Sequence, residues 1–174
     1  GLLPIDAYRQ RVDALVASEI SAASAKSFFD MLRESRRPLI YAGGGVVCAN
    51  ASEALRRFAA RFGIPVTTTL MGIGACDTTE PLSLQMLGMH GTYEANMAMH
   101  DADLLINIGA RFDDRITGRT DMFSPGSRKI HIDIDPSSIN KNIKVDVPII
   151  GDCAYVLEDL MRAWRAHGTQ PDKA

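Results

Sequence analysis

Residues 38–45 read PLIYAGGG. An apolar run opened by proline and closed by three glycines predicts a strand buried on both faces that ends in a tight loop, because such a strand has no polar side to show to water. Working outward towards the N-terminus, Ala25, Phe28, Phe29 and Leu32 recur at helical spacing and predict an amphipathic helix over 21–35. In the other direction, Asn50 with Glu53 three residues on has the form of a capping box. The helix it would open places Leu55, Phe58, Ala59 and Phe62 on one face, stops at Gly63 and gives way at Pro65 to a strand, PVTTTL.

The alternation continues to the end of the chain. MGIGA (71–75) is a glycine loop, and LGMHGTYEANMAMH (87–100) reads as a short apolar piece, a turn at Gly88 and Gly91, then a helix. DLLINIGA (103–110), KIHIDID (129–135) and VPIIGD (147–152) read as strands. Val156, Leu157, Leu160, Met161 and Trp164 form the stripe of a closing helix, after which GTQPDKA should fray. Nearly all-apolar strands alternating with helices predict an α/β fold: a three-layer, doubly wound, mainly parallel sheet of about six strands with helices on both faces, Rossmann-like in type. The expected organisation is a linker or N-terminal extension over 1–20, a single nucleotide-binding domain over 21–167 and a tail over 168–174.

The bulk properties agree with one globular domain: 174 residues, 46% hydrophobic and 23% charged. A net charge of −2 gives no electrostatic case for nucleic acid or an anionic membrane. No apolar run approaches the roughly 20 residues that span a bilayer, and GLLPIDAYRQRVDALV lacks the basic start of a signal peptide. Cys48, Cys76 and Cys153 are odd in number, far apart and without a CxxC, so three unpaired thiols in a reducing compartment are expected.

Parallel sheets bind ligands beyond the carboxyl ends of their strands, and GGG, TLMG, GARFDDR, DIDP and GDC each follow a strand. Gly43, Gly44 and Gly45 would let backbone N–H groups approach an anion, with a helix N-terminus behind them. A phosphate or pyrophosphate is the natural ligand, and a ligand-free tight turn is the plain alternative. The spacing is not the usual dinucleotide fingerprint: the sixth position is Cys48, and the second strand ends in Thr67, Thr68 and Thr69 instead of an acid. It is not a P-loop either.

Arg111 lies just past a strand end and offers a planar fork for phosphate, carboxylate or a flat ring. Asp113 and Asp114 either join Arg111, Arg115 or Arg119 in an ion-pair network or accept hydrogen bonds from ribose hydroxyls. Asp133 and Asp135 would hold a ribose or cap the next turn, and Asp152 would N-cap the closing helix. None of His90, His100, His131 and His167 has metal-ligand spacing, and only His90, in a turn between Met89 and Gly91, is a ligand candidate. Met86, Met89, Met97 and Met99 read as adaptable core. No nucleophile elbow and no activated cysteine is evident.

Taken in order, YAGGGV, GIPVTTTLMGIGA, LGMHGTYEANMAMHDADLLINIGARFDDRITG, HIDIDPSSINKN and VPIIGD closely resemble the central domain of the acetolactate (acetohydroxyacid) synthase large subunit, a thiamine-diphosphate enzyme family. The match covers about 38–160; LGMHGTYEAN and GARFDDR are specific to this branch. The resemblance implies a three-domain enzyme that joins two 2-oxo acids with loss of carbon dioxide, on the way to branched-chain amino acids. Its first and last domains bind thiamine diphosphate and Mg2+, and its middle domain carries FAD across the carboxyl edge of the sheet, as a structural group.

Carried over by residue, the resemblance puts Gly44 and Gly45 at the pyrophosphate, and Leu70, Met71 and Gly72 at the flavin, faced by Leu87, Gly88, Met89 and His90. Gly109, Ala110, Arg111, Asp113 and Arg115 would meet the nucleotide or its chain; Asp133, Ile134, Asp152 and Cys153 would surround the adenosine end. Met89, Asp114 and Arg115 would face the entrance for substrate and inhibitors. No catalytic residue and no metal ligand is assigned here: the thiamine-activating glutamate belongs to the first domain and the Gly-Asp-Gly metal motif to the third. The resemblance therefore implies a fragment that catalyses nothing alone, with the N- and C-terminal thiamine-diphosphate domains as partners in a homo-oligomer that can carry a regulatory subunit, in a bacterial-type cytoplasm or a plastid. The alternatives are the central domain of another thiamine-diphosphate carboligase or decarboxylase, and a non-catalytic nucleotide-binding module.

Overall fold

A computed structural model describes residues 10, 13–14, 19–112 and 123–167. Helix α1 spans Ala22–Glu34; Ser21 caps it by accepting the Ser24 N–H at 3.0 Å. Strand β1 (Pro38–Ala42) runs into a five-residue helix α2 (Gly44–Cys48), then helix α3 (Ser52–Phe62) and strand β2 (Val66–Thr68). A 3-10 turn (Leu70–Gly72) and strand β3 (Ser83–Met86) follow, then helix α4 (Tyr93–Asp101) and strand β4 (Leu104–Ile108). Strand β5 (Arg128–Asp133), a 3-10 turn (Pro136–Ser138), strand β6 (Val147–Ile150) and helix α5 (Cys153–His167) complete the described chain.

The six strands form one sheet in the order β3-β2-β1-β4-β5-β6, with every pairing parallel. This is the expected doubly wound α/β sheet. Its order reverses between β1 and β4, which is the topological switch point. Alternate residues of each strand serve different faces. Ile40, Ile106, Ile108, Ile130, Ile132 and Ile149 pack under α1, α3 and α5 in one core. Leu39, Tyr41 and Leu105 pack with Ala95 and Met99 of α4 in a second.

One row across the second face is mostly polar. Thr67, Tyr41, Asn107 and His131 are register partners from β2 to β5, and all four are fully buried. Each lies near the carboxyl end of its strand.

Three local expectations are corrected. The capping box does not form: Asn50 takes a left-handed φ of 51°, Ala51 is the N-cap without a side-chain bond, and Glu53 pairs with Arg56. The chain has only three residues in which to turn from α2 to α3, and that turn claims Asn50. The strand read over PVTTTL keeps only Val66–Thr68, because the buried Thr69 hydroxyl accepts the Gly72 N–H and caps the 3-10 turn. Strand β3 precedes the apolar piece read at Leu87; its sequence, SLQM, is half polar because it is an edge strand. Gln85 there is left-handed (φ 65°), and the pairing with β2 shifts register at Val66/Thr67. The opposite edge, β6, carries Pro148 opposite His131. The tail 168–174, and 1–20 apart from residues 10, 13–14 and 19–20, lie outside the described residues.

Candidate functional site

The glycine triplet is first of all a crossing of two backbones. A Cβ on Gly43 would lie 2.3 Å from the Gly109 carbonyl oxygen, and one on Gly45 would lie 2.7 Å from Gly109 Cα. The Gly43 and Gly45 amides donate to the Ile108 and Gly109 carbonyls, both at 2.9 Å. Positive φ is not used at any of the three; it is used at Gly109 (φ 60°), where β4 turns away. The tight-turn alternative thus accounts for Gly43 and Gly45. Gly44 is left to face the cleft, where an added Cβ would lie 3.1 Å from Met71 Cβ. Gly72 meets backbone in the same way: an added Cβ would lie 2.4 Å from the Ala42 carbonyl oxygen.

At the switch point these loops enclose a cleft of about 740 Å³, a size typical of small-molecule sites. Of the residues expected there, Gly44, Gly45, Leu70, Met71, Leu87, Gly88, Met89, His90, Gly109, Ala110, Arg111 and Asp133 line it. The cleft also takes in Thr69, Met86, Asp135 and Ser138. Gly72, Ile134, Asp152 and Cys153 are not part of its lining. Asp113, Asp114 and Arg115 lie outside the described residues.

The walls differ in chemistry. On one side Leu70, Met71 and Met89 are 68%, 76% and 84% exposed, large apolar groups left against water. Of the methionines read as core, Met99 is buried with α4, Met86 and Met89 line the cleft, and Met97 is partly exposed. The 87–91 turn is held by Asn96, which accepts the Gly88 N–H and donates to the Gly88 carbonyl, both at 3.0 Å. The opposite side is polar. Asp133 Oδ1 accepts the Asp135 N–H at 2.8 Å, and Asp135 caps the next turn through Ser137 N–H at 2.9 Å. Hydrogen bonds from the Ser137 hydroxyl and amide hold the Asp135 carboxyl below the usual carboxylate range.

Asp152 caps α5, accepting the Ala154 N–H at 2.8 Å. Cys153 is buried beneath it, and burial pushes its thiol up to about 12. Cys48, Cys76 and Cys153 are all free thiols, and only Cys48 is exposed.

Two side chains that the sequence did not single out shape the site from below. Asn107 Oδ1 accepts the Ala110 N–H at 3.2 Å, and its Nδ2 donates to the Ala110 carbonyl at 2.7 Å. His131 Nε2 lies 3.0 Å from that same carbonyl. The available signal was a polar residue inside an otherwise apolar buried strand for Asn107, and one between two isoleucines for His131.

A parallel sheet in this strand order, with an open cleft at its switch point, defines a doubly wound α/β domain of the ligand-holding class. The chain belongs to the family described as "Thiamine pyrophosphate enzyme, central domain", which matches residues 25–160. It is 52% identical over 136 residues to the acetolactate synthase large subunit of Buchnera aphidicola subsp. Schlechtendalia chinensis, covering 78% of this chain and 24% of that protein. It is 53% identical over 133 residues to the probable acetolactate synthase large subunit of Methanocaldococcus jannaschii (76% and 22%). To the chloroplastic acetolactate synthase 1 of Zea mays it is 51% identical over 130 residues (75% and 20%). The chain thus spans under a quarter of the length of these curated relatives. Among the described residues no helix is long and apolar enough to cross a membrane, and no group of three acidic, histidine or cysteine side chains could hold a metal ion.

Proposed function

We propose that this chain is the middle domain of a thiamine-diphosphate-dependent acetolactate synthase large subunit, and that its cleft holds FAD at the entrance to the reaction chamber. The observation that carries the FAD reading is the pairing of opposite chemistries in one cleft at the switch point. Exposed Leu70, Met71 and Met89 suit a flat apolar ring, while Arg111 and the cleft-lining Gly44, which has no side chain to keep an anion from its backbone, suit a pyrophosphate. Asp133 lines the same cleft, and its carboxylate would accept from sugar hydroxyls. Asp113, Asp114 and Arg115 belong to the proposal by resemblance alone, as do Ile134, Asp152 and Cys153. FAD bound there would serve as a fixed wall of the chamber and would not carry electrons in turnover. Thiamine diphosphate and Mg2+ would sit in the remaining domains, where the carbon–carbon bond is made. The working protein would be a homo-oligomer, with a regulatory subunit where the organism has one, in a bacterial-type cytoplasm.

The test is a titration of the full-length protein with FAD, read by flavin fluorescence and thermal melting, beside Arg111→Ala. A charge-assisted hydrogen bond contributes about 1.5–3 kcal/mol, so the variant should bind at least about tenfold more weakly with an almost unchanged melting temperature in the absence of FAD. A flavin-free enzyme that condenses 2-oxo acids at full rate would overturn the assignment.

A further inference from the structure

His131 lies beneath the cleft, fully buried, and the function proposed above gives it no role. Its Nε2 is 3.0 Å from the Ala110 carbonyl oxygen and 3.6 Å from Asp133 Oδ2. A carbonyl can only accept, so Nε2 carries a proton. Nδ1 is then the ring's second polar atom, and it has no hydrogen-bond partner among the described residues. Burying a polar atom unpaired is costly, and an apolar residue would avoid the cost if this position only filled space.

The ring touches both neighbours of Arg111. On one side it holds Ala110, whose N–H and carbonyl are both turned inward onto Asn107. On the other side Phe112 meets the imidazole edge-to-face, with centroids 5.2 Å apart. Phe112 also stacks on Tyr41 at 6.0 Å, and Asn142 Nδ2 donates to its carbonyl at 2.6 Å. Arg111 therefore springs from a backbone fixed on both sides before any ligand arrives. A loop already ordered loses less entropy on binding, which appears directly as affinity.

We propose that His131 is a positioning residue for the nucleotide. It donates to the Ala110 carbonyl and braces Phe112, and so presets the backbone from which Arg111 meets an anionic dinucleotide. The inference rests on the FAD reading above.

The test compares His131→Leu and His131→Gln in the full-length enzyme. Leucine fills much of the space without a donor; the glutamine amide can donate from near the Nε2 position. FAD affinity is read by flavin fluorescence, and the melting temperature of the FAD-free protein is followed in parallel. Loss of one buried donor should weaken FAD by about tenfold in the leucine variant, and glutamine should recover it to within about threefold. Equal loss in both variants, tracking the fall in melting temperature, would mean a packing role and overturn the proposal. So would unchanged FAD affinity in the leucine variant. Should His131→Leu not fold, Phe112→Leu removes the edge-to-face contact with His131 together with the ring contacts to Tyr41 and Phe123, and leaves the His131 donor in place; FAD affinity equal to that of the unmodified enzyme would overturn the brace. Nitrogen NMR of the labelled histidine gives a readout without ligand: Nε2 must carry the proton at neutral pH, and a ring protonated only at Nδ1 sinks the clamp. An unmodified enzyme that takes up no FAD would overturn the flavin reading and this one together, whereas binding by the unmodified and leucine forms alike overturns this one only.

Discussion

The two faces of the sheet are built from the same strands and solve different problems. Under α1, α3 and α5, strands β1, β4, β5 and β6 contribute aliphatic side chains, and the helices answer with Phe28, Phe29, Phe58, Phe62 and Trp164. That face is dry and aromatic-rich. The other face, under α4, carries Thr67, Asn107 and His131 in a buried row just before the strands end. Polar groups there add little net stability, but they have direction. Burial of carbon on one face supplies stability, and oriented hydrogen bonds on the other fix the shape of the cleft.

The sharpest way to break this division is Phe58→Ala on the dry face. Phe58 is fully buried and touches Phe28 and Phe62, with centroids at 5.9 and 4.7 Å. Truncation should cost about 3–5 kcal/mol, seen as a lower denaturant midpoint. FAD affinity of the protein that stays folded should not change. If affinity falls as well, the two faces are not separate.

Gly43→Ala addresses the point where the division meets the cleft. Its Cβ would collide with the Gly109 carbonyl and with Ala110, and only the backbone could yield. We expect a stability loss of about 1–3 kcal/mol together with loss of FAD binding, measured on one sample by melting and by flavin fluorescence. Normal binding would show that the cleft tolerates a displaced β4 turn.

The smallest effect is chemical. Cys48 is exposed, whereas Cys153 is buried with its thiol raised from the ordinary 9.0 to about 12. Iodoacetamide at pH 8 should label Cys48 and spare Cys153 until the protein unfolds, as read by mass spectrometry. The sign of the linkage follows: burial of the neutral thiol stabilises the fold below pH 9, and that contribution is lost as pH rises from 9 towards 12, because the unfolded chain releases the proton first. Early labelling of Cys153 would mean that the start of α5 opens.

Much of this fold was legible in the sequence. LLINI and PLIYA, short apolar runs followed by glycine, read as buried strands, and the stripe Val156, Leu157 and Leu160 reads as one side of a helix. Strand β3 was hidden because an edge strand need not be apolar, and Ser83 and Gln85 look like loop. The site was legible as a set of strand-end loops, since a parallel sheet forces them to one edge. The roles of Asn107 and His131 were not, because they depend on register: only the pairing of β4 with β5 places both beneath Ala110. The glycine triplet was open to two readings, and the structure accounts for part of it by the tight turn. It suggests an anion loop or a tight turn, and two of its three members serve a backbone crossing with Gly109, 64 and 66 residues away along the chain, a contact with no local signature.

The sheet has one further property, and it lies at its margins. An open parallel sheet presents two unpaired strand edges, each a template on which another extended chain could grow. Here β3 is four residues long and broken by left-handed Gln85, and β6 contains Pro148, which has no N–H to offer. Both margins are spoiled as templates. Copies of this domain therefore find little at either edge on which to add a strand to one another.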